Sequence, residues 1–389
     1  MSRTGLRGAF PPRNARYVGC YVDAIMRVWL LLLFVIACTP TQPSRDPPPV
    51  DAARDDAGVA DAVAPATIKV TVEPDGTGVA QPLLTAIEEA TSAVHVEMYL
   101  LTNDRYLRAL ELQHRNGLDV KVVLNHEFPP GTSVSATNAR AYAALQAAGV
   151  DVRWAPTDTG FDSYTHEKAV LIDPAALGRA ESPTSQVWIM TMNLDGSGPR
   201  VNREYLVADT NAADIAEAEA IFEADYEGVR ITPAGSLVVA PSPQNNAASA
   251  LLMLIESATT SLDVEAEELD DKGVETTLFD AIMAKARSGV DVRVVLEDSS
   301  SGEQASAVAA LEAAGVSVTG HKGNADLDIH AKAVVADGAR AYVGSENFSG
   351  GSLGYNRELG VMFSDPAAVA AVGSSIARDF ELGASYSSR

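Results

Sequence analysis

From Thr67 onward, short runs rich in apolar and β-branched residues alternate with longer stretches in which apolar residues recur at three- and four-residue spacing. The first pattern reads as strand and the second as amphipathic helix. The stretch VTVEPDGTGVAQPLLTAIEEATSAVHVEMYLL predicts strand, polar loop, helix and strand, and LVVAPSPQNNAASALLMLIESATTSLDVEAEEL (237–269) repeats that order. The match continues: RALELQHRNGLDVKVVL (108–124) pairs with DAIMAKARSGVDVRVVL (280–296), and RAYAALQAAGVDVRWAP with SAVAALEAAGVSVTGHK. Each of these four segments is a helix, a glycine stop at Gly117, Gly149, Gly289 or Gly315, and a short strand. The chain is therefore read as a tandem duplication of an α/β unit, over 67–230 and 235–389. Alternating strands and helices predict mixed, mostly parallel sheets with flanking helices.

The second copy carries DIHAKAVVADGARAYVGSENFSG (328–350), in which His330 and Lys332 are two apart on a predicted strand and share one face. An imidazole and an ammonium converging on one spot suit phosphate: the lysine supplies charge, and the histidine can attack phosphorus or move a proton near neutral pH. The first copy repeats the spacing in THEKAVLID, with His166, Lys168 and Asp173 matching His330, Lys332 and Asp337. Each motif is followed by a turn, Met190-Thr191-Met192-Asn193 or Gly344-Ser345-Glu346-Asn347, and then by Asn-Arg-Glu ending at Glu204 or Glu358.

The doubled H-x-K-x4-D pattern, each copy followed by a G-S-x-N-like turn and a glutamate, resembles the phospholipase D superfamily. The resemblance implies two phospholipase D-like domains about a pseudo-twofold axis, with one active site at their interface. It implies hydrolysis or transfer of a phosphodiester through a phosphohistidine, without a metal or other cofactor. It makes His166 the nucleophile and His330 the acid, which the nearly symmetric sequence does not itself distinguish. Lys168, Lys332, Asn193 and Asn347, with Thr191 and Ser345 in the turns, are expected around the substrate phosphate, and Glu204 and Glu358 are expected to orient the histidines. Asp173 and Asp337, five residues beyond the lysines, complete the motif at a strand end, where a turn or cross-half anchor suits them better than direct catalysis. Copy one departs from the pattern in Met190-Thr191, where glycine and serine are expected, and in the insertion PAALGRAESPTSQ after Asp173.

The remaining histidines, His95, His114, His126 and His321, show no metal-ligand spacing. His95 reads as packed or solvent-facing, whereas His126-Glu127 ends a strand where substrate contacts often fall, as Glu297-Asp298 does in the other copy.

The first residues differ in kind. Val28 to Ala37 form an apolar run of ten residues after Arg27, short of the about 20 that span a bilayer but suited to a signal-peptide core. With Cys38 it resembles a bacterial lipobox, so 1–38 is expected to be a signal peptide, with a true start possible at Met26, and Cys38 the lipidated residue that anchors the protein in the cell envelope. Residues 39–66, rich in Pro, Ala and Asp, read as a disordered tether. No cysteine follows Cys38, so no disulfide framework supports the body.

The chain's net charge is −23, and the residues before 67 nearly cancel among themselves, so the negative charge belongs to the body. Nucleic acid is held mainly through lysine and arginine contacts to phosphates, so this charge disfavours it as partner without excluding a locally basic cleft. The expectation is a monomer acting on a phospholipid or other phosphodiester. A metal-independent nuclease and a catalytically idle surface binding protein are the alternatives.

Overall fold

The computed structural model describes residues 68–126, 128, 135–156, 164–175, 182–242, 244–269, 276–298, 302–322 and 327–385. The expected signal core, Cys38, the tether and Glu127 lie outside the described residues.

The first half runs β1 (Ile68–Glu73), α1 (Gln81–Glu88), β2 (Ala93–Met98), α2 (Asp104–Arg115), β3 (Asp119–Leu124), α3 (Ser135–Ala148), β4 (Asp151–Trp154), β5 (Lys168–Ile172), β6 (Gln186–Met190), α4 (Gly198–Val201), β7 (Asn202–Asp209) and α5 (Ala212–Glu227). The second runs β8 (Val238–Ala240), α6 (Ala247–Ser257), β9 (Ser261–Ala266), α7 (Thr276–Arg287), β10 (Asp291–Glu297), α8 (Gly302–Ala313), β11 (Ser317–His321), β12 (Asp328–Ile329), β13 (Lys332–Ala336), β14 (Arg340–Gly344), α9 (Gly350–Tyr355), β15 (Glu358–Phe363), α10 (Pro366–Leu382) and β16 (Ala384–Ser385).

Each half builds one sheet, in the orders β1-β7-β6-β5-β2-β3-β4 and β16-β11-β10-β9-β13-β14-β15-β8. Parallel pairing is concentrated in β2-β3-β4 and β9-β10-β11, where a helix returns the chain to the same end. The expected parallel majority is corrected, since antiparallel pairs outnumber parallel ones. The strands β5-β6-β7 and β13-β14-β15 follow one another through connections that hold at most a short helix, so most of their links are hairpins. Gly117, Gly149, Gly289 and Gly315 all adopt φ between +87° and +95°, the left-handed conformation that ends a helix.

Three apolar cores account for the layering. One lies under the outer helices of each half. The third joins the halves: Ala169, Leu171, Ile189 and Val207 of the first sheet meet Ala333, Val343, Leu359 and Val361 of the second, closed by Phe222 of α5 and Ile376 of α10. The halves thus share a fully buried interior and fold as one body.

Backbone pairing also crosses between the halves, twice and reciprocally. β12, which leads into His330, pairs in parallel with Asn202 and Arg203 of β7. Thr165, just before His166, bridges to Arg357, so that the His166 N–H donates to Arg357 O at 2.8 Å. Each Asn-Arg-Glu stretch is therefore stitched to the other half's His-x-Lys stretch, as a pseudo-twofold axis requires. Its arginine extends the exchange. Arg203 pairs with Asp379 of α10 in the second half (Nη2 to Oδ1, 3.0 Å), and Arg357 with Asp225 of α5 in the first (Nε to Oδ2, 2.9 Å).

Candidate active site

The crossed backbone sets up a crossed active site. His166 donates from Nδ1 to Glu358, 2.8 Å from Oε2 and 3.0 Å from Oε1, and His330 places Nδ1 2.8 Å from Glu204 Oε1. Each carboxylate thus serves the histidine of the opposite half, so neither repeat contains a complete histidine–carboxylate pair. Both carboxylates are buried and similarly held: Glu204 accepts from Thr191 Oγ1 (2.5 Å) and Asn202 Nδ2 (3.2 Å), Glu358 from Ser352 Oγ (2.5 Å) and Asn356 Nδ2 (3.4 Å). Burial pushes the Glu358 carboxyl up, but His166 and Lys168 overcome this and keep it below its ordinary value. An ionised Glu358 accepts the Nδ1 proton, which leaves the Nε2 lone pair of a neutral His166 directed away from it.

The lysines complete the charge. Lys168 and Lys332 are both fully buried, and each donates from Nζ to the carbonyl of its own histidine at 2.6 Å. Lys332 acts electrostatically on both His166 and Lys168, which shows that the half-sites converge. Burial lowers His166 to about 4, with Glu358 opposing, and lowers Lys168 to about 7.

The two half-sites differ in one neighbour that the motif spacing gave no sign of. Just past β2 stands Tyr99, its ring edge-on to His166 with centroids 4.5 Å apart, and with Lys168 Nζ 5.1 Å from the Tyr99 centroid. Just past β9 the same place is held by Glu267, whose Oε2 accepts from Lys332 Nζ at 2.7 Å and lies 3.5 Å from His330 Nε2. Burial raises the Glu267 carboxyl, and Lys332 and His330 more than reverse this, holding it well below the carboxylate range. The aligned repeats VHVEMYLL and LDVEAEEL would have exposed the substitution.

The other expected residues divide. Asn193 and Asn347 each keep a buried Oδ1 without a hydrogen bond among the described residues. A phosphate would call on their Nδ2 donors instead, since an amide oxygen accepts and cannot donate to it. Thr191 and Ser345, expected at the phosphate, are instead fully buried behind the histidines: Thr191 Oγ1 donates to Glu204 and accepts from Tyr205 N (2.9 Å), and Ser345 Oγ accepts from Leu359 N (3.0 Å). The Thr191 hydroxyl is thereby spent on the carboxylate and the sheet, which leaves it little for a ligand, whereas Ser345 is shown only accepting from the sheet. Asp173 and Asp337 sit at the far strand ends with φ of 47° and 55°. Asp173 accepts from the backbone of Thr91, Ser92 and Ala93, and Asp337 from that of Thr259, Thr260 and Ser261, each within its own half. They anchor turns; these contacts neither cross the halves nor reach the histidines, which corrects their grouping as catalytic.

His95 is packed, stacked on Phe222 (4.9 Å) between Glu219 (3.0 Å) and Asp119 (3.3 Å), and His126 stands against Trp154 (4.7 Å). Two clusters of metal-ligating type occur among the described residues: His95, Glu219 and Glu223, and Glu97, Glu167 and Asp225. Both already hold cations of the protein itself, Lys121 on Glu223 (2.5 Å) and Arg357 on Asp225.

The family model described as cardiolipin synthase, PLD-like domain, matches residues 83–226 and again 251–380. The chain therefore belongs to the phospholipase D superfamily, in that cardiolipin synthase-like branch. Its catalysts as a class cleave or transfer phosphodiesters. Cardiolipin synthase A of Pseudomonas aeruginosa is 28% identical over 138 residues, which cover 35% of this chain and 24% of that protein's length. Among solved structures, phosphatidylserine synthase from Haemophilus influenzae Rd KW20 superposes with a TM-score of 0.59 at 13% identity, over 81% of this chain and 86% of that one. Polyphosphate kinase from Porphyromonas gingivalis gives 0.60 at 17%, over 81% and 47%. These two likenesses concern the fold alone.

Proposed function

We propose that this protein hydrolyses or transfers phosphatidyl groups by a phosphohistidine mechanism, with His166 as nucleophile and His330 as acid. The observation that carries the assignment is the inequality of two crossed half-sites: His166 is a buried imidazole beside an aromatic ring, and His330 lies between two carboxylates. A buried, uncharged imidazole with its Nδ1 proton committed has the free Nε2 lone pair that attack on phosphorus requires. As the N–P bond forms, the P–O bond to the head-group alcohol breaks, and His330 Nε2–H passes its proton to the departing oxygen. Water or a second alcohol then gives its proton to His330 and attacks phosphorus, the N–P bond breaks, and both histidines return to their starting state. Lys168, Lys332, Asn193 and Asn347 spread over the non-bridging oxygens, where charge is stabilised through the transition state.

Lipid anchoring at Cys38 would station the enzyme at its substrate, and acyl label lost in Cys38→Ala would support it. The acidic body argues against a nuclease, and two intact histidine-lysine pairs argue against an idle site.

Head-group release from phosphatidylcholine, phosphatidylethanolamine and phosphatidylglycerol vesicles, measured in EDTA, tests the proposal. The expected result is turnover by the wild type and loss in both His166→Ala and His330→Ala. Cleavage of single-stranded DNA with no lipid turnover would overturn it in favour of the nuclease.

A further inference from the structure

Two ammonium groups are buried in the site, and the fold treats them differently. Lys168 and Lys332 each donate to the carbonyl of their own histidine at 2.6 Å. Beyond that bond Lys168 meets an aromatic neighbour, Tyr99, whose ring centroid lies 5.1 Å from its Nζ. Lys332 meets a carboxylate: Glu267 Oε2 accepts from its Nζ at 2.7 Å and stands 3.5 Å from His330 Nε2. The sheet does not require an acid there. Tyr99 and Glu267 make the same backbone contact, Tyr99 N to Glu167 O and Glu267 N to Ala331 O, each at 3.0 Å, so a phenol fills the place equally well. Glu204 and Glu358 face the Nδ1 atoms and lie behind the imidazoles, whereas Glu267 faces Nε2, the side of His330 on which a reacting ester has to sit. With 31% of its side chain exposed, it is free to turn towards water.

We infer that Glu267 is a built-in competitor for the phosphate: it holds Lys332 while the site is empty, weakens the capture of phosphate esters, and hastens the departure of the phosphomonoester that hydrolysis leaves behind. An ammonium has three donors. With one on His330 O and one on Glu267, a phosphate oxygen either displaces the carboxylate or takes the third donor beside it, and it gives up affinity in both cases. The product is what makes this useful. A diester carries one negative charge, whereas a monoester carries close to two at neutral pH. Two buried ammonium groups with nothing opposing them would therefore hold the product more tightly than the substrate. A carboxylate at Lys332 acts in the opposite sense, because it repels a dianion about twice as strongly as a monoanion. When the product leaves, Glu267 returns to Lys332, and the buried ammonium is not stranded without a counter-ion.

This inference rests on the reading that Lys332 takes a phosphate oxygen, and equilibrium binding tests it apart from turnover. The probes are glycerol 3-phosphate, a monoester, and dimethyl phosphate, a diester, titrated calorimetrically into the wild type, Glu267→Gln, Glu267→Ala and Glu268→Gln. Both Glu267 variants should bind glycerol 3-phosphate about tenfold or more tightly than the wild type, with a smaller gain for dimethyl phosphate. Glu268→Gln removes the same charge from the exposed next residue and should stay within about twofold, as a solvent-screened charge does. Unchanged or weaker binding in the Glu267 variants would overturn the inference, since the carboxylate would then be placing Lys332 rather than competing for it. An equal gain in Glu268→Gln, or a gain for dimethyl phosphate as large as for the monoester, would overturn it as well. Tightened binding without lipid turnover would sink the phosphatidyl reading alone, and lipid turnover with unchanged binding would sink this inference alone. Binding of neither probe to any of the four proteins would remove the phosphate site on which both rest.

Discussion

The first and second halves carry the same motif and the same fold, yet they present different chemistry at the same address. In the first, His166 is bonded to Glu358 by an aligned Nδ1 donor and backed by Tyr99; in the second, His330 meets Glu204 at a similar distance but off the hydrogen-bond direction, and also meets Glu267. A duplication that kept both halves identical would give two equivalent imidazoles. Under the proposed mechanism these different neighbours would make His166 the uncharged nucleophile and His330 the carboxylate-flanked proton carrier, two like groups set apart by environment.

The comparison breaks most sharply on the leaving group. His330→Ala should lose about 10²–10⁴-fold on an alkyl phosphodiester, the range of a missing general acid. It should recover most of that on a nitrophenyl ester, which departs without a proton, and His166→Ala should recover nothing. Equal rescue of both variants would erase the distinction.

The structural halves of the comparison are the crossed arginines. Removing one partner of a buried pair costs about 3–5 kcal/mol, and the loss should be greater for Arg357→Ala than for Arg203→Ala. Arg357 faces three buried acidic groups, Asp225, Glu97 and Glu167, whereas Arg203 faces two, Asp379 and Glu265; a hydroxyl already serves one in each set, Thr165 on Glu97 (2.6 Å) and Tyr205 on Glu265 (2.5 Å). Denaturant midpoints of the two variants check the order.

Smaller effects sharpen the picture. Residues that orient a reacting group typically contribute about 10–100-fold, and Glu358→Gln should cost more of kcat than Glu204→Gln because only the former has an aligned bond to break. A pH profile reads the rest. His166 titrates at about 4, so the acid limb of activity belongs near pH 4 rather than near 6.5. Lys168, brought to about 7 by burial, loses its charge as pH rises through 7, and KM should climb there. Lys168→Arg, which stays charged, should flatten that climb.

Much of this was legible in the sequence. The repeat, the glycine stops, the paired His-x-Lys motifs and their glutamates all follow from local spacing. What was not legible depends on docking. The bond from His166 to Glu358 spans 192 positions, and its crossing appears only when Thr165 and Arg357 pair. The parallel majority failed because no crossover helix joins β5 to β6 or β13 to β14, so these strands return antiparallel, and a β-rich run does not declare its direction. Thr191 and Ser345 looked like phosphate ligands until the strands beside them claimed their hydroxyls. Glu267 belongs to no motif, and its place is set by Tyr99 in the other copy.

The central claim is that one site, assembled from both halves, uses His166 to hold phosphorus and His330 to move protons. Alkaline quenching of His330→Ala during turnover of a nitrophenyl phosphodiester, followed by peptide mapping, tests it directly. The account predicts a phosphoryl adduct on His166 and none in the His166→Ala protein. An adduct on His330 in the His166→Ala protein, or no adduct on His166 while nitrophenol is released, would contradict it.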